Sequence, residues 1–370
     1  MIRIVRKEDM TGVRAALVRF ASIVAALVVS MLIVWILGYD PLRTFGAILQ
    51  GSFGSKFGIL NTVVIAVPLL LAALAVSVAF SMKFWNIGAE GQIVMGAFGA
   101  AAVSMNLPVG TPPVVAILLS LLAGMVGGAV WALIPGLFRA YLGTNETLFT
   151  LMMNYIAIQW VVFLRNFLWK DPAAHGFPII ATIPANAFLP KVFGIHAGWI
   201  LALALAAAAY FFLRSTKLGY EIRVVGESER TARYAGMDVR RVLVLGVLIS
   251  GAAAGLAGAV QLTGVTHTLS ESIGGGVGFT AIIIAWLSNL NAPAIVATSF
   301  LFAALKQGAM SMELLVGSPS SLSDVVMGLV LMAALASEFF LRYRLVREQG
   351  AKGRGPLAPP EAGTDRKEGS

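Results

Sequence analysis

Residues 59–81 read ILNTVVIAVPLLLAALAVSVAFS, and none of these 23 side chains carries a charge. A helix of this length rises about 34 Å at about 1.5 Å per residue, which spans a bilayer hydrocarbon core of about 30 Å. Apolar residues occupy successive positions, without the strict alternation that is typical of the strands of a membrane barrel. The stretch therefore predicts a transmembrane α-helix.

Further apolar segments of this kind recur along the whole chain. The sequence is 58% hydrophobic and only 12% charged, with a mean hydropathy of +0.85, which excludes a soluble fold. The apolar segments are residues 16–37, 59–81, 87–105, 114–134, 148–164, 198–213, 242–262, 278–290, 292–305 and 325–341. We predict an all-α fold, a polytopic transmembrane helical bundle of about ten spans. The eighth and ninth segments are short, so they form either a tilted pair or a re-entrant hairpin closed by the turn at 288–293.

The distribution of lysine and arginine predicts the orientation of these spans. With the N-terminus inside, 21 of the 27 basic residues fall in inner segments and five in outer segments, while Lys306 lies within a span. Cytoplasmic loops of membrane proteins carry such an excess of basic residues. Both termini are therefore predicted to be cytoplasmic, as an even number of spans requires. This topology also accounts for the net charge of +9 without a nucleic-acid partner.

The same reading divides the chain into three parts. Residues 1–15 form a basic cytoplasmic N-terminus, 16–341 the transmembrane domain, and 342–370 a cytoplasmic tail that we predict to be disordered, because 350–370 is rich in Gly, Pro and charge. The first apolar segment is too long for a signal peptide and has no small-residue cleavage site, so it is predicted to be a retained helix. An external loop at 165–197 is rich in proline and aromatic residues, and a cytoplasmic loop spans 214–241.

Catalytic, metal-binding and cofactor signatures are missing from the sequence. Cysteine is absent, and His175, His196 and His267 are too scattered for a metal cluster. The chain contains no GxxxxGK[ST], GxSxG or HExxH motif. We therefore expect no enzyme, no metal site and no cofactor, and a chain that cannot hydrolyse ATP by itself.

Polar residues within the apolar segments are candidates for function. Asn86, Glu90 and Gln92 fall within seven residues at the start of the third segment, and Asn154 lies well inside the fifth. Polar side chains in membrane spans commonly face a transport pathway, so these four are predicted to line the pathway or its gate. The alternative for the first three is an interfacial cap. Gln159, five residues beyond Asn154, belongs to the same polar group.

Glycine spacing predicts close helix packing. Gly124 with Gly128, and Gly251 with Gly255, have the small-xxx-small spacing that lets helix backbones approach each other in lipid. The glycines at 274–276, together with those that open the third segment, instead predict two discontinuous helices in corresponding halves of the chain. This correspondence is the basis for the hypothesis of an inverted repeat.

The cytoplasmic loop at 214–241 is long enough to form structure of its own. Ser228 can cap a short helix over 229–235, which Gly236 would end. This element offers charged and aromatic groups to a partner, namely Glu227, Ser228, Glu229, Arg230, Arg233, Tyr234, Ala235 and Gly236. The alternative is a solvated loop that serves topology alone.

Three blocks of sequence carry a resemblance to a known family. Residues 85–96 read WNIGAEGQIVMG, 145–157 read NETLFTLMMNYIA, and 218–241 read LGYEIRVVGESERTARYAGMDVRR. In this order they resemble the membrane permease subunits of ATP-binding-cassette (ABC) importers of the nucleoside, simple-sugar and branched-chain amino acid group. The similarity runs from about residue 60 to 341. Departures are Trp85 in place of the usual Phe, and TLFTLM where VIST is common, and both leave the solute undefined.

The resemblance implies a function that hydropathy alone does not. Such a permease would form the pathway for a small polar solute, most often a nucleoside or sugar, in the plasma (inner) membrane. Its partners would be an ABC ATPase with two nucleotide-binding domains, a second permease, identical or homologous, and an extracytoplasmic substrate-binding protein. The short helix after Ser228 would be the coupling helix, with Tyr234 buried in the ATPase. The open alternatives are a branched-chain amino acid permease, an ion-coupled secondary transporter and a membrane-embedded enzyme.

The predicted topology can be tested by thiol labelling, because the chain has no native cysteine. In intact cells an impermeant reagent should leave Ser228→Cys unmodified, since the basic loop at 214–241 faces the cytoplasm. Permeabilisation should then allow modification. Labelling from outside intact cells would contradict the topology.

Overall fold

The computed structural model of the protein describes residues 2–6, 24–25, 28–108, 110–317, 325, 328–329, 332 and 343–347. These residues form an almost entirely helical structure. Its helices are α1 (Val28–Ile36), α2 (Pro41–Phe53), α3 (Lys56–Ser81), α4 (Ala89–Asn106), α5 (Pro113–Leu137), α6 (Glu146–Phe163), α7 (Gly198–Ser215), α8 (Lys217–Glu227), α9 (Glu229–Tyr234), α10 (Val239–Gln261), α11 (Val277–Leu287) and α12 (Ala292–Val316). The prediction of a helical bundle is therefore confirmed for the described residues.

Short irregular elements complete the described chain. Helices α5, α6 and α10 each continue into a π turn, at Phe138–Leu142, Leu164–Leu168 and Leu262–Thr266 respectively. The antiparallel strands are β1 (Ile2–Arg6) with β4 (Tyr343–Arg347), and β2 (Lys191–Val192) with β3 (Ile195–His196). Strand β4 lies in the tail that we predicted to be disordered, whereas 350–370 lies outside the described residues.

Six described helices are long and apolar enough to cross a membrane, so the protein is a multi-pass membrane protein. They are α3, α7 and α12, together with α5, α6 and α10 including their π turns. A bent pair, α1 and α2 at 119°, would make a seventh span. The count of about ten spans is not confirmed, because most of 325–341 and most of 16–27 lie outside the described residues.

The ninth predicted segment is longer than we expected. We placed its end at residue 305, whereas α12 continues to Val316 and has 25 residues in all. Gln307 is buried, and its side-chain oxygen accepts a 2.6 Å hydrogen bond from the amide of Asn61 on α3. Because this polar group is satisfied inside the protein, it does not interrupt the helix. By contrast, α11 has only 11 residues and is too short to span a bilayer alone.

Helix α3 forms the centre of the bundle. Its most apolar window is 83% buried, and it packs against α7, α10, α11 and α12. A helix that is apolar on every side must be surrounded by protein or lipid. In this chain protein surrounds it, and Leu71, Ala72 and Ala73 have no exposed surface.

Helices α4, α5 and α10 pack backbone against backbone. A Cβ atom added to Gly128 would lie 2.6 Å from the Cα atom of Gly255, and one added to Gly251 would lie 2.6 Å from the carbonyl oxygen of Gly128. Gly96 of α4 meets Gly255 at the same crossing. The predicted small-residue packing is therefore confirmed.

The segment at 165–197 is folded onto the end of α10. The amide of Leu189 donates to the carbonyl of Thr263 (3.0 Å), and the amide of Ile183 donates to that of His267 (2.9 Å). Arg165 forms an ion pair with Glu271. These contacts hold the segment against the bundle as a cap.

Adding a methyl group at the glycine crossing should destabilise the protein. Gly255→Ala would place its Cβ atom 2.9 Å from the Cα atom of Gly128, and overpacking of this kind costs about 1–3 kcal/mol. The thermal unfolding midpoint of the purified protein in detergent should fall. Gly46→Ala on α2 is the control, because no atom lies within 4 Å of its added methyl group. Equal midpoints for the two variants would contradict the backbone contact.

Candidate functional site at the meeting of two broken helices

Helix α4 begins inside the bundle rather than at its end. The chain between α3 and α4 is not helical, yet Phe84, Asn86 and Gly88 are buried. The side chain of Asn86 reaches Ser250, which lies 11 residues into α10, or about 17 Å along its axis. The first turn of α4 is thus surrounded by protein.

Asn86 and Gln92 form a reciprocal pair of amide hydrogen bonds. Asn86 Nδ2 donates to Gln92 Oε1, and Gln92 Nε2 donates to Asn86 Oδ1, both at 3.0 Å. Asn86 Nδ2 also lies 3.3 Å from Ser250 Oγ, which in turn donates to the carbonyl oxygen of Ala75 (2.7 Å). This chain of bonds joins α3, α4 and α10.

Glu90 caps a helix other than its own. Its Oε1 accepts the amide of Gly276 at 2.9 Å, and its Oε2 accepts the amide of Gly278 at 2.7 Å, at the first turn of α11. Helix N-termini expose unpaired N–H groups and carry partial positive charge, so a carboxylate there is stabilising. Gly276 has a φ of +76°, and a Cβ atom on Gly278 would lie 2.6 Å from the Cα atom of Glu90. The close approach therefore requires glycine.

Asn154 performs the equivalent task for α4. Its Oδ1 accepts the amide of Gly91 (2.8 Å), and its Nδ2 donates to the carbonyl of Ile87 (2.9 Å). Thr150, one turn earlier on α6, accepts the amide of Ile87 at 3.2 Å. The N-terminus of α4 has no side-chain cap from its own residues, so α6 supplies the hydrogen bonds.

The four residues predicted from sequence to line a pathway or gate are thus brought together in one buried network. Asn86, Glu90, Gln92 and Asn154 are each at most 6% exposed, and each has a hydrogen-bond partner. Within the described part of the chain, Glu90 has no ion pair, and backbone amides alone compensate its carboxylate.

Sequence reasoning missed two members of this network. Ser250 and Thr150 each supply a hydroxyl, but isolated hydroxyl residues in apolar helices give no signal of their own. The glycine run at 274–276 was the available signal for the partner of Glu90. We interpreted that run as a helix break, without predicting which side chain would satisfy the new helix end.

The segment after α8 forms the predicted short helix. Helix α9 begins after Ser228, whose Oγ accepts the amide of Thr231 (3.3 Å), and it ends at Tyr234, one residue earlier than predicted. Gly236 follows with a φ of +78°. Ala232 is buried against the bundle, whereas the side chain of Tyr234 is 93% exposed.

Ion pairs connect α9 to the bundle. Arg139 lies in the π turn after α5. Its Nε is 3.3 Å from Oε2 of Glu146 at the start of α6, and its Nη2 is 3.6 Å from Oε1 of Glu229 on α9. Glu229 also pairs with Arg233 at 3.2 Å. Of the predicted partner-facing residues, Glu227, Arg230, Arg233, Tyr234, Ala235 and Gly236 are exposed, while Ser228 and Glu229 are half-buried. Arg139 therefore links the first turn of α6 to the exposed helix.

Two histidines lie at the opposite end of the bundle, under the cap. Burial lowers the pKa of His196, as does the nearby charge of His267. Burial and then Lys191 lower the pKa of His267. The ring of His267 is half-buried and stacks on Phe188 with 3.8 Å between ring centroids. Since protonation is less favourable in the folded state, acidification below the ordinary histidine pKa of about 6.5 weakens this packing.

The membrane-spanning helices thus surround two helices, α4 and α11, that begin in the interior of the bundle, an arrangement typical of membrane transport proteins. Residues 58–335 match the family described as branched-chain amino acid transport system / permease component, so the chain belongs to that family.

Three relatives match most of the chain. It is 33% identical to the glucose ABC transporter permease protein TsgB13 of Haloferax volcanii over 88% of both chains. It is 31% identical to the guanosine ABC transporter permease protein NupP of Bacillus subtilis, over 90% of this chain and 97% of the relative. Identity to the nucleoside ABC transporter permease protein NupB of Lactococcus lactis is 30%, over 92% and 95% respectively. The protein is a permease subunit of an ABC importer, a family of transport components rather than of enzymes.

Removing the Glu90 carboxylate should destabilise the junction of α4 and α11. Glu90→Ala would leave the buried amide of Gly278 unpaired, at a cost of about 1–3 kcal/mol, and the half-buried amide of Gly276 would lose its acceptor at a smaller cost. Glu90→Gln keeps one acceptor and should cost less. Tryptophan fluorescence during heating gives the unfolding midpoint of both variants, and Glu313→Ala, at an exposed position, is the control. A midpoint for Glu90→Ala equal to that of the control would show that the cap contributes nothing.

Proposed function

We propose that this chain forms half of the translocation pathway for a nucleoside or simple sugar, in the plasma (inner) membrane, with transport driven by a separate ATPase. The observation that carries the proposal is the meeting of α4 and α11 at Glu90, inside the bundle. Discontinuous helices that meet in this way commonly mark transport routes. The printed names of the relatives supply the solute class, since they specify glucose, guanosine and nucleosides.

A branched-chain amino acid is the second candidate solute. The description of the matching family favours it. The relatives at 30% identity or more are instead named for sugars and nucleosides, which is why we place these first.

Within this function, we assign Asn86, Glu90, Gln92 and Asn154 to the gate. Glu90 joins α11 to α4, and Asn154 joins α4 to α6, so α4 cannot separate from either helix without breaking these bonds. The far end of α11 carries Trp286, which stacks on Trp85 at 5.5 Å in the turn before α4. The contacts of α11 with Glu90 and with Trp85 must therefore adjust together when the gate opens.

The turn before α4 also touches the elements that we assign to the ATPase interface. Lys83 Nζ donates to the carbonyl oxygen of Glu227 at 3.3 Å, directly before α9. Tyr234 projects from α9 beside exposed arginines, and such aromatic and arginine groups dominate interface energetics. A force on α9 would reach the gate through the turn at 82–88.

If α9 binds the ATPase, its end of the bundle is the cytoplasmic one, and the remaining assignments follow. The α8–α9 end faces the cytoplasm with both termini, in keeping with the pairing of β1 with β4, which brings the chain ends together. The cap at 165–197 then faces outward, toward a substrate-binding protein. A second permease, identical or homologous, completes the pathway. In this chain the pathway is formed by the transmembrane domain at 16–341, which the basic segment 1–15 precedes and the tail 342–370 follows.

Vesicles that contain the assembled importer should take up radiolabelled guanosine when ATP is present on the cytoplasmic side. Glucose and leucine serve as comparison solutes. Preferential uptake of leucine would move the assignment to amino acids. Uptake that persists without ATP but collapses with the proton gradient would contradict the ATP-driven function.

Tyr234→Asp should uncouple transport from ATP hydrolysis or release the ATPase. The substitution places a charge where an aromatic side chain is expected to be buried in the partner, and hot-spot losses of this kind are about 2 kcal/mol or more. Co-purification of the ATPase and uptake are the two measurements, and Tyr234→Phe is the control that should retain both. Normal co-purification with normal uptake in Tyr234→Asp would remove α9 from the interface.

A further inference from the structure

One face of α6 remains outside the bundle. Asn154, Ala157 and Val161 are buried, whereas Tyr155, Ile156, Gln159 and Trp160 are exposed on the opposite side. The exposed positions recur every three or four residues, which is the spacing of a single helix face. Gln159 is a polar residue in the middle of this face.

The depth of Gln159 makes this exposure informative. It lies 13 residues after Glu146, about 20 Å along the helix, and nine residues before Leu168, about 14 Å from the other end of the span. Its side chain has no hydrogen-bond partner among the described residues. A carboxamide turned toward lipid is strongly unfavourable, and polar side chains at such depth face water or another polar group. The face therefore points away from lipid.

A groove of about 580 Å³ lies beside Gln159, between α4, α5 and α6. Phe98 of α4 and Trp160 meet edge to face with centroids 6.0 Å apart, and Trp160 stacks on Phe163 at 5.7 Å. Trp131 of α5 closes the third side. This volume is within the range of small-molecule sites, and its lining combines five aromatic rings and two aliphatic side chains, Met95 and Ile156, with the amide of Gln159.

We propose that this groove is the wall of the solute pathway, with aromatic rings that stack on a nucleobase and Gln159 hydrogen-bonding its edge. The inference rests on the proposed function, and it narrows the solute to a nucleoside. Every nucleobase has a π face for stacking, and a carboxamide both donates and accepts hydrogen bonds. The groove opens on the surface of one chain because the pathway is completed by the second permease.

Thiol labelling of the assembled importer tests the position of this face without reference to the solute. A membrane-impermeant methanethiosulfonate, which reacts with the hydrated thiolate, should modify Gln159→Cys. The matched control is Leu122→Cys, on the side of α5 away from Trp131, where the native side chain is 55% exposed. This control should react only with a lipid-soluble maleimide.

Two outcomes would overturn the proposal. If Gln159→Cys behaves like the control, the face is turned to lipid. If it resists the reagent and instead gives a disulfide-linked pair of permeases on oxidation, the face is a dry contact between subunits.

Transport then tests the solute. Trp160→Ala should reduce guanosine uptake about tenfold, as expected for the loss of one base-stacking partner, and guanosine should slow the labelling of Gln159→Cys. Phe211→Ala is the control, because Phe211 is 63% exposed on α7, outside the groove. Uptake unchanged in Trp160→Ala would contradict the site. If the unmodified importer carries no guanosine while Gln159→Cys is still labelled, the solute assignment fails and the aqueous face stands.

Discussion

The interior of this permease depends on the contact between the Glu90 carboxylate and the first amides of α11. A short helix that begins inside a bundle exposes N–H groups where water is excluded, and these must be satisfied by protein. Glu90 supplies two acceptors and a negative charge at the positive end of the helix. The same reasoning applies to α4, whose first turn is satisfied from α6 by Asn154. Helices α4 and α11 can therefore begin inside the bundle because a side chain of a neighbouring helix accepts the amides of each first turn.

The sequence did not predict that these helix ends would be capped by side chains of other helices. Local patterns predicted α3 from its uninterrupted apolar run, α9 from Ser228 and Gly236, and close helix packing at the glycines of α5 and α10 from their spacing. Each of these signals is contained within a few residues. The partners of Glu90 lie 186 and 188 residues away along the chain. Nothing in the local sequence connects them, so the residues of the site were predictable but their bonds were not.

Span boundaries failed for a related reason. Lys306 and Gln307 interrupt the apolar run that we ended at residue 305. In the structure, Gln307 accepts a hydrogen bond from Asn61 of α3, and α12 continues past it. Hydropathy treats every polar residue as facing lipid, and it therefore underestimates helices whose polar groups are satisfied within the protein. Helix α4 has the same property, since Glu90 and Gln92 lower its hydropathy but are buried and hydrogen-bonded.

The glycine crossing of α4, α5 and α10 also bears on how the subunit moves. Where backbones touch directly, no side chain can change rotamer to let one helix slide past another. The three helices should therefore travel as one rigid body through the transport cycle. Motion is left to the elements joined by side chains, chiefly α6 and α11, which can pivot as their hydrogen bonds exchange. The permease accordingly divides into a rigid unit of α4, α5 and α10 and the helices that move against it, and the glycines determine which helices belong to the rigid unit.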